Sequence, residues 1–264
     1  MRAVLAIARK ELEVYFTTPI AYVVLAVVAF FAAQFFNGAL DAYRFLTLRA
    51  LTLQSPEVME RLNLTDSVVL PLFGSLGIFV VIVSPFLTMR LLAEEKRTRT
   101  FELLMTAPVR PIQIVLGKYL AALAVLLVAL ALVAVFPAVL GVLGRGARGG
   151  AAVEWQTVLT GLVGLFLLGA MAMSVGLFFS AVTESVIVAA LLALVLLLAL
   201  WAVTLFAIGV EGPGREVARA LSLSENLTPF LQGRLELRGV VYYLSVSVLG
   251  LYLSERAVEA HRWS

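Results

Sequence analysis

Ser67–Pro111 reads SVVLPLFGSLGIFVVIVSPFLTMRLLAEEKRTRTFELLMTAPVRP, almost pure hydrocarbon as far as Met89 and a dense polar block from Arg90 onward. A helix needs about 20 consecutive apolar residues to cross a bilayer, and Ser67–Met89 supplies them. Five more runs of this kind flank it: Pro19–Leu40, Tyr119–Leu143, Thr157–Thr183, Ser185–Val210 and Gly239–Ser254. The last is short, and Arg238 and Glu255 reach the headgroups from its ends. The sequence predicts an all-α integral membrane protein, with residues 1–264 forming one domain of six transmembrane helices.

The composition excludes other classes. Hydrophobic residues make up 62% of the chain, charged residues 14%, and mean hydropathy is +1.02, whereas soluble domains carry about 25% charged residues. There is no cysteine, and His261 is the one histidine. Disulfides, thiolate metal sites and multi-imidazole haem or zinc sites are therefore not expected. The net charge of +3 suits anionic lipid headgroups, not nucleic acid. The first run exceeds the roughly 7–15 residue core of a signal peptide, so it reads as a retained span.

Residues 1–18 precede the first span. Within them Arg2–Thr17 forms an amphipathic pattern, with Val4, Ala8, Leu12 and Phe16 at i, i+4 spacing and Leu5 and Tyr15 beside them. Arg9, Lys10 and Glu13 mark the polar side, and Arg9 and Glu13 are spaced to pair. Such a helix lies in the headgroup layer before the chain turns inward at Pro19. Asp41–Asp66, Gly144–Gln156 and Glu211–Arg238 fall on one side of the membrane; both termini, the polar block and the Thr183–Ser185 turn fall on the other. In the third of these connections, Leu227, Phe230 and Leu231 are expected to rest on the membrane surface. Arg90, Lys96, Arg97, Arg99, Arg110 and Lys118 cluster on the side of the termini, which places that side in the cytoplasm.

The polar block (90–112) is expected to form a short charged helix in which Glu95–Arg99 and Arg99–Glu102 pair, with Phe101, Leu104 and Met105 as an apolar patch. Pro108 and Pro111 end it before the next span. It reads either as a lever gripping a soluble partner or as a solvated loop that fixes topology. On the fourth span Gly169, Ala172, Gly176 and Ser180 form a small-residue stripe, suited to a subunit interface or to packing within the bundle. Gln34, Asn37, Ser84, Thr88, Ser174 and Ser180 are polar residues inside spans, and none is charged. That disfavours gradient-driven transport, which needs intramembrane acids, bases or an ion site. Phosphate-loop, protease and phosphatase constellations are missing too. Work that runs on ATP would need another chain to bind the nucleotide.

The block with its flanks, AEEKRTRTFELLMTAPVRPIQIVLGKYLAAL, resembles the cytoplasmic segment of ABC-2 type permeases, the membrane halves of ATP-binding-cassette exporters. The start, IARKELEVYFTTPIAYV, and the end, VVYYLSVSVLGLYLSERAVEAHRW, are most similar to the gliding-motility-type and nitrous-oxide-reductase-maturation-type branches. The resemblance implies that Arg2–Thr17 is an elbow helix. It implies that Glu94–Leu104 is a coupling helix, with Glu94, Glu95, Lys96, Arg97, Arg99, Thr100, Phe101, Glu102, Leu103 and Leu104 docking on an ATPase subunit. Many members carry Gly-Thr where this chain has Arg99-Thr100, and glycine allows conformations that arginine avoids. The resemblance further implies a partly helical external segment before the last span (211–238). It implies a second permease subunit, identical or related, in a bacterial inner membrane, and no cofactor on this chain, with ATP and Mg on the partner. The chain would be non-catalytic, its work conformational. A membrane anchor that recruits a partner without transport is the alternative from another class. A membrane enzyme, with Glu184 as its best-placed acid, is a second.

Overall fold

The computed structural model describes residues 2–53, 63–100, 109–143, 153–206 and 213–260. The Gly144–Gly150 loop, Phe101–Pro108 and His261 lie outside them. The described residues are helical with no strand, and six of their helices are long and apolar enough to cross a membrane.

Helix α1 (Arg2–Thr17) ends where Thr18 turns extended (φ −92°, ψ 149°), and Pro19 then opens α2 (Pro19–Thr52). Proline suits that position because its fixed φ is helical and its missing N–H would have had no partner. The α2 helix runs 34 residues, about 50 Å at 1.5 Å per residue, well beyond the roughly 30 Å of hydrocarbon. The expected connection from Asp41 is thus helical as far as Thr52. Residues 41–52 contain good helix formers and no breaker, and Arg44 Nη1 reaches Asp41 Oδ1 (3.3 Å) along the same face.

A π-helical turn (Thr65–Val69) leads into α3 (Leu70–Thr88); after Met89 alone the chain resumes as α4 (Arg90–Arg97). Among the described residues the helix expected over Glu94–Leu104 is interrupted: α4 ends at Arg97, and Arg99 takes a left-handed φ of 58°, so Glu95 and Arg99 do not share a helical face. Helix α5 (Pro111–Leu143) starts two turns earlier than the apolar run, because Pro111 opens it. Gln113 Oε1 reaches back to accept from the Arg110 N–H (3.1 Å), one half of a capping box.

Helices α6 (Trp155–Val182) and α7 (Val186–Phe206) follow, joined by residues 183–185. Then come α8 (Pro213–Leu221), α9 (Leu223–Leu231) and α10 (Leu237–Ala260). Ser222 caps α9 by accepting from the Glu225 N–H (3.3 Å). Gly233 (φ 77°) closes the other end, with the Gly233 N–H on the Phe230 carbonyl and the Arg234 N–H on the Pro229 carbonyl, a Schellman motif. The expectation that Leu227, Phe230 and Leu231 rest on the membrane surface is corrected, since all three are buried in the bundle. Glycines make the seat. A Cβ on Gly164 or Gly239 would lie 2.6 Å from Phe230, and one on Gly77 2.6 Å from Leu227.

Helix α6 is the centre, packing on α3, α4, α5, α7, α9 and α10. Gly169 takes Leu126 of α5 and Val80 of α3, Gly176 takes Thr88, and Ala172 and Ser180 are fully buried. The stripe therefore faces the chain's own bundle. Ser84, Thr88 and Ser174 each donate to a carbonyl three or four residues back in their own helix.

Candidate functional site: an ionic corner joining three helices

At one end of the bundle α1, α4 and α5 meet. Gly117 of α5 is where α1 lies down, for a Cβ there would sit 2.7 Å from Ile7 and 3.1 Å from the Val4 carbonyl. Next to it Lys118 projects under α1, with its side chain only 1% exposed. A buried ammonium needs carboxylates around it. Lys118 Nζ has two, Glu11 Oε1 at 3.0 Å and Glu95 Oε1 at 2.8 Å. Lys10 closes the ring, at 3.2 Å from Glu11 Oε1 and 3.6 Å from Glu95 Oε1. Two cations and two anions thus alternate between three helices, with no net charge. Burial works against the charged form of Lys10, but the Glu11 and Glu95 carboxylates outweigh it and hold its ammonium above the ordinary value.

Tyr15 makes the next tie. Its hydroxyl donates to the Leu87 carbonyl (2.6 Å), anchoring α1 to the last turn of α3, and burial pushes the phenol up. The face of α1 that packs therefore carries Ile7, Ala8, Glu11 and Tyr15. Ala8 and Tyr15 of the expected apolar side are buried together with Glu11, while Leu5 and Phe16 at its edge stay exposed. Arg9 and Glu13 pair as expected (3.1 Å), on the outside.

Helix α4 is held from its other flank by α6. Ser180 Oγ accepts from the N–H groups of Leu92 and Ala93 (3.0 Å each) and donates to the Met89 carbonyl (2.9 Å). The first N–H groups of a helix have no partner of their own, so Ser180 caps α4 from a neighbouring span. A hydroxyl inserted into the helical ladder also accounts for the one-residue break at Met89. At the far end of α4, Lys96 donates to the Ala181 carbonyl in the last turn of α6, where free carbonyls and the helix dipole favour a cation.

The expected docking residues divide accordingly. Arg97, Arg99 and Thr100 are exposed. Glu94 is half-buried, 3.9 Å from Arg90. Glu95 and Lys96 turn inward, to α5 and α6 respectively. Phe101, Glu102, Leu103 and Leu104 lie outside the described residues. The sequence reading missed Glu11 and Lys118 as partners of Glu95; the one signal for Glu11 is a carboxylate on the same side of α1 as Ala8 and Tyr15.

The profile of the ABC-2 family transporter proteins matches residues 33–224, well over half of the chain. The chain belongs to the ABC-2 family. It is a multi-pass membrane component of a transporter, and the match takes in the polar block, four of the six apolar helices of this ABC-2 protein whole and the later part of the first. No curated protein matches the chain.

Proposed function

We propose that this ABC-2 chain is the permease subunit of an ATP-driven exporter and that Glu94–Leu104 docks on a separate ATPase subunit. Arg97, Arg99 and Thr100 form the described part of the contact, while Glu95 and Lys96 pass its movement on. The observation that carries this reading is the Glu95 carboxylate, which is bonded to Lys118 of α5 and paired with Lys10 of α1 at once. Any displacement of α4 therefore reaches α5, α1 and, through Ser180, α6. The chain catalyses no covalent step. Binding and hydrolysis of ATP on the partner supply the energy, and the packed helices have two arrangements between which they switch. Two permease subunits, identical or related, pair in a bacterial inner membrane with both termini cytoplasmic. The likeness of the two ends to the gliding-motility-type and nitrous-oxide-reductase-maturation-type branches supports a place near them.

The test is ATP turnover by the complex in lipid. Glu95→Gln and Glu102→Gln should leave the ATPase attached and change its turnover. A passive anchor would lose attachment alone. Unchanged attachment and turnover in both variants, or labelling of Arg97 and Arg99 from the outer face, overturns the proposal.

A further inference from the structure

A cleft of about 570 Å³ opens between α1 and the α3–α4 junction, beside the ionic ring. One wall is apolar, made by Val14, Ile20, Phe86, Leu87 and Leu91. The other end is charged, with Lys10, Arg90 and Lys118 facing Glu11, Glu94 and Glu95. The cleft lies level with the ends of two spans, since Thr18 precedes the first residue of α2 and Leu87 sits in the last turn of α3. Polar groups at one end and hydrocarbon at the other, at that depth, match a membrane lipid and not a soluble metabolite.

The charges narrow the headgroup. Three cations and three anions line the cleft, so neither a net anion nor a net cation is favoured there. A zwitterion satisfies both signs. Lys10 and Arg90 are substantially exposed, at 61% and 48% of their side chains, and each has further N–H donors for a phosphate beside its carboxylate partner. Glu95 uses Oε1 for both lysines, while its Oε2 is buried with no hydrogen-bond partner. An unpartnered buried carboxylate oxygen is costly and calls for a donor. Glu95 lines the cleft, and the last torsion of glutamate is soft, so its carboxylate can turn toward a donor bound there. A primary ammonium can donate to it; a trimethylammonium cannot.

We propose that this cleft holds a phosphatidylethanolamine-type lipid, its ammonium on Glu95, its phosphate between Lys10 and Arg90, and an acyl chain along Val14, Phe86 and Leu87. The site requires only that this end of the bundle lie in a headgroup layer, and it stands apart from the ATPase reading. The experiment reconstitutes the full chain in bilayers of equal parts phosphatidylethanolamine, phosphatidylcholine and phosphatidylglycerol with matched acyl chains. Lipid retained after mild detergent extraction is then counted by native mass spectrometry. Phosphatidylethanolamine should exceed each of the others by at least about tenfold, the effect of one charge-assisted hydrogen bond. Glu95→Gln should erase most of that preference. Val14→Trp, which fills the apolar wall and leaves the ring intact, should remove the retained lipid. Soluble glycerophosphoethanolamine should not displace it. Equal retention of the three lipids, preference for phosphatidylglycerol, displacement by the soluble headgroup, or no retained lipid each overturns the proposal.

Discussion

Helices α6 and α7 are consecutive spans joined by three residues, yet they live in different surroundings. The α7 helix is the more apolar of the two, but only 22% of its most apolar stretch is buried in the protein, against 67% for α6. Leu191, Leu192, Val195 and Leu196 of α7 face outward, whereas α6 turns Gly161, Gly164, Gly169 and Gly176 toward its neighbours. In water the more apolar helix would be the buried one. In lipid the surrounding hydrocarbon is as apolar as leucine, so close backbone approach and hydrogen bonds decide burial.

The sharpest way to break that comparison is to exchange the roles. Gly176→Leu places a side chain on Thr88 and is expected to cost about 3 kcal/mol or to abolish folding. The matched change on the other span, Val195→Leu, should stay within about 0.5 kcal/mol. Thermal melts of both variants in nanodiscs decide it, and equal losses would sink the distinction. Ser180→Ala comes next. It leaves the N–H groups of Leu92 and Ala93 without their acceptor, at a cost of about 2 kcal/mol. Amide exchange at those two residues should quicken, with α7 unaffected.

Smaller effects separate the α6 seam from the ionic corner. Arg99→Gly should stabilise by up to about 1 kcal/mol, since glycine takes a positive φ freely and arginine does not. Chemical denaturation reads that gain, and a loss instead would mean that the arginine side chain outweighs its backbone strain. Alkaline pH should loosen the anchoring of α1 at the ionic corner. Burial holds the Tyr15 phenol above its ordinary 10.0, so above that pH the unfolded chain gives up its proton first and stability falls. The Lys10 ammonium is held above 10.5, so its contribution is complete below 10.5 and fades as pH rises through the higher value. Tyr15→Phe should flatten the onset near pH 10 in pH-dependent melts.

Much of this was legible in the chain. Hydrocarbon runs gave the spans, and Pro19 marked a true helix start. The departure from Gly-Thr at Arg99-Thr100 pointed to the one place among the described non-glycine residues where φ is positive. Two expectations failed for different reasons. Helix α2 outruns its apolar stretch because helix propensity, not hydropathy, ends a helix. The expected Glu95–Arg99 pair failed because α4 ends at Arg97 and Arg99 takes a positive φ, which leaves Glu95 to Lys118 of α5.

Residue chemistry by itself determined that this protein has six runs apolar enough to cross a membrane, with no acid or base at their middle, and a dense charged block between the second and third. These are local properties, set by the transfer of each side chain between water and hydrocarbon. Only the tertiary structure decided which face of α1 is inside, that a serine on α6 caps α4, and that Glu11, Glu95, Lys10 and Lys118 form one ring. Those depend on contacts between residues up to 107 positions apart, and a buried charge takes the partner that reaches it in space.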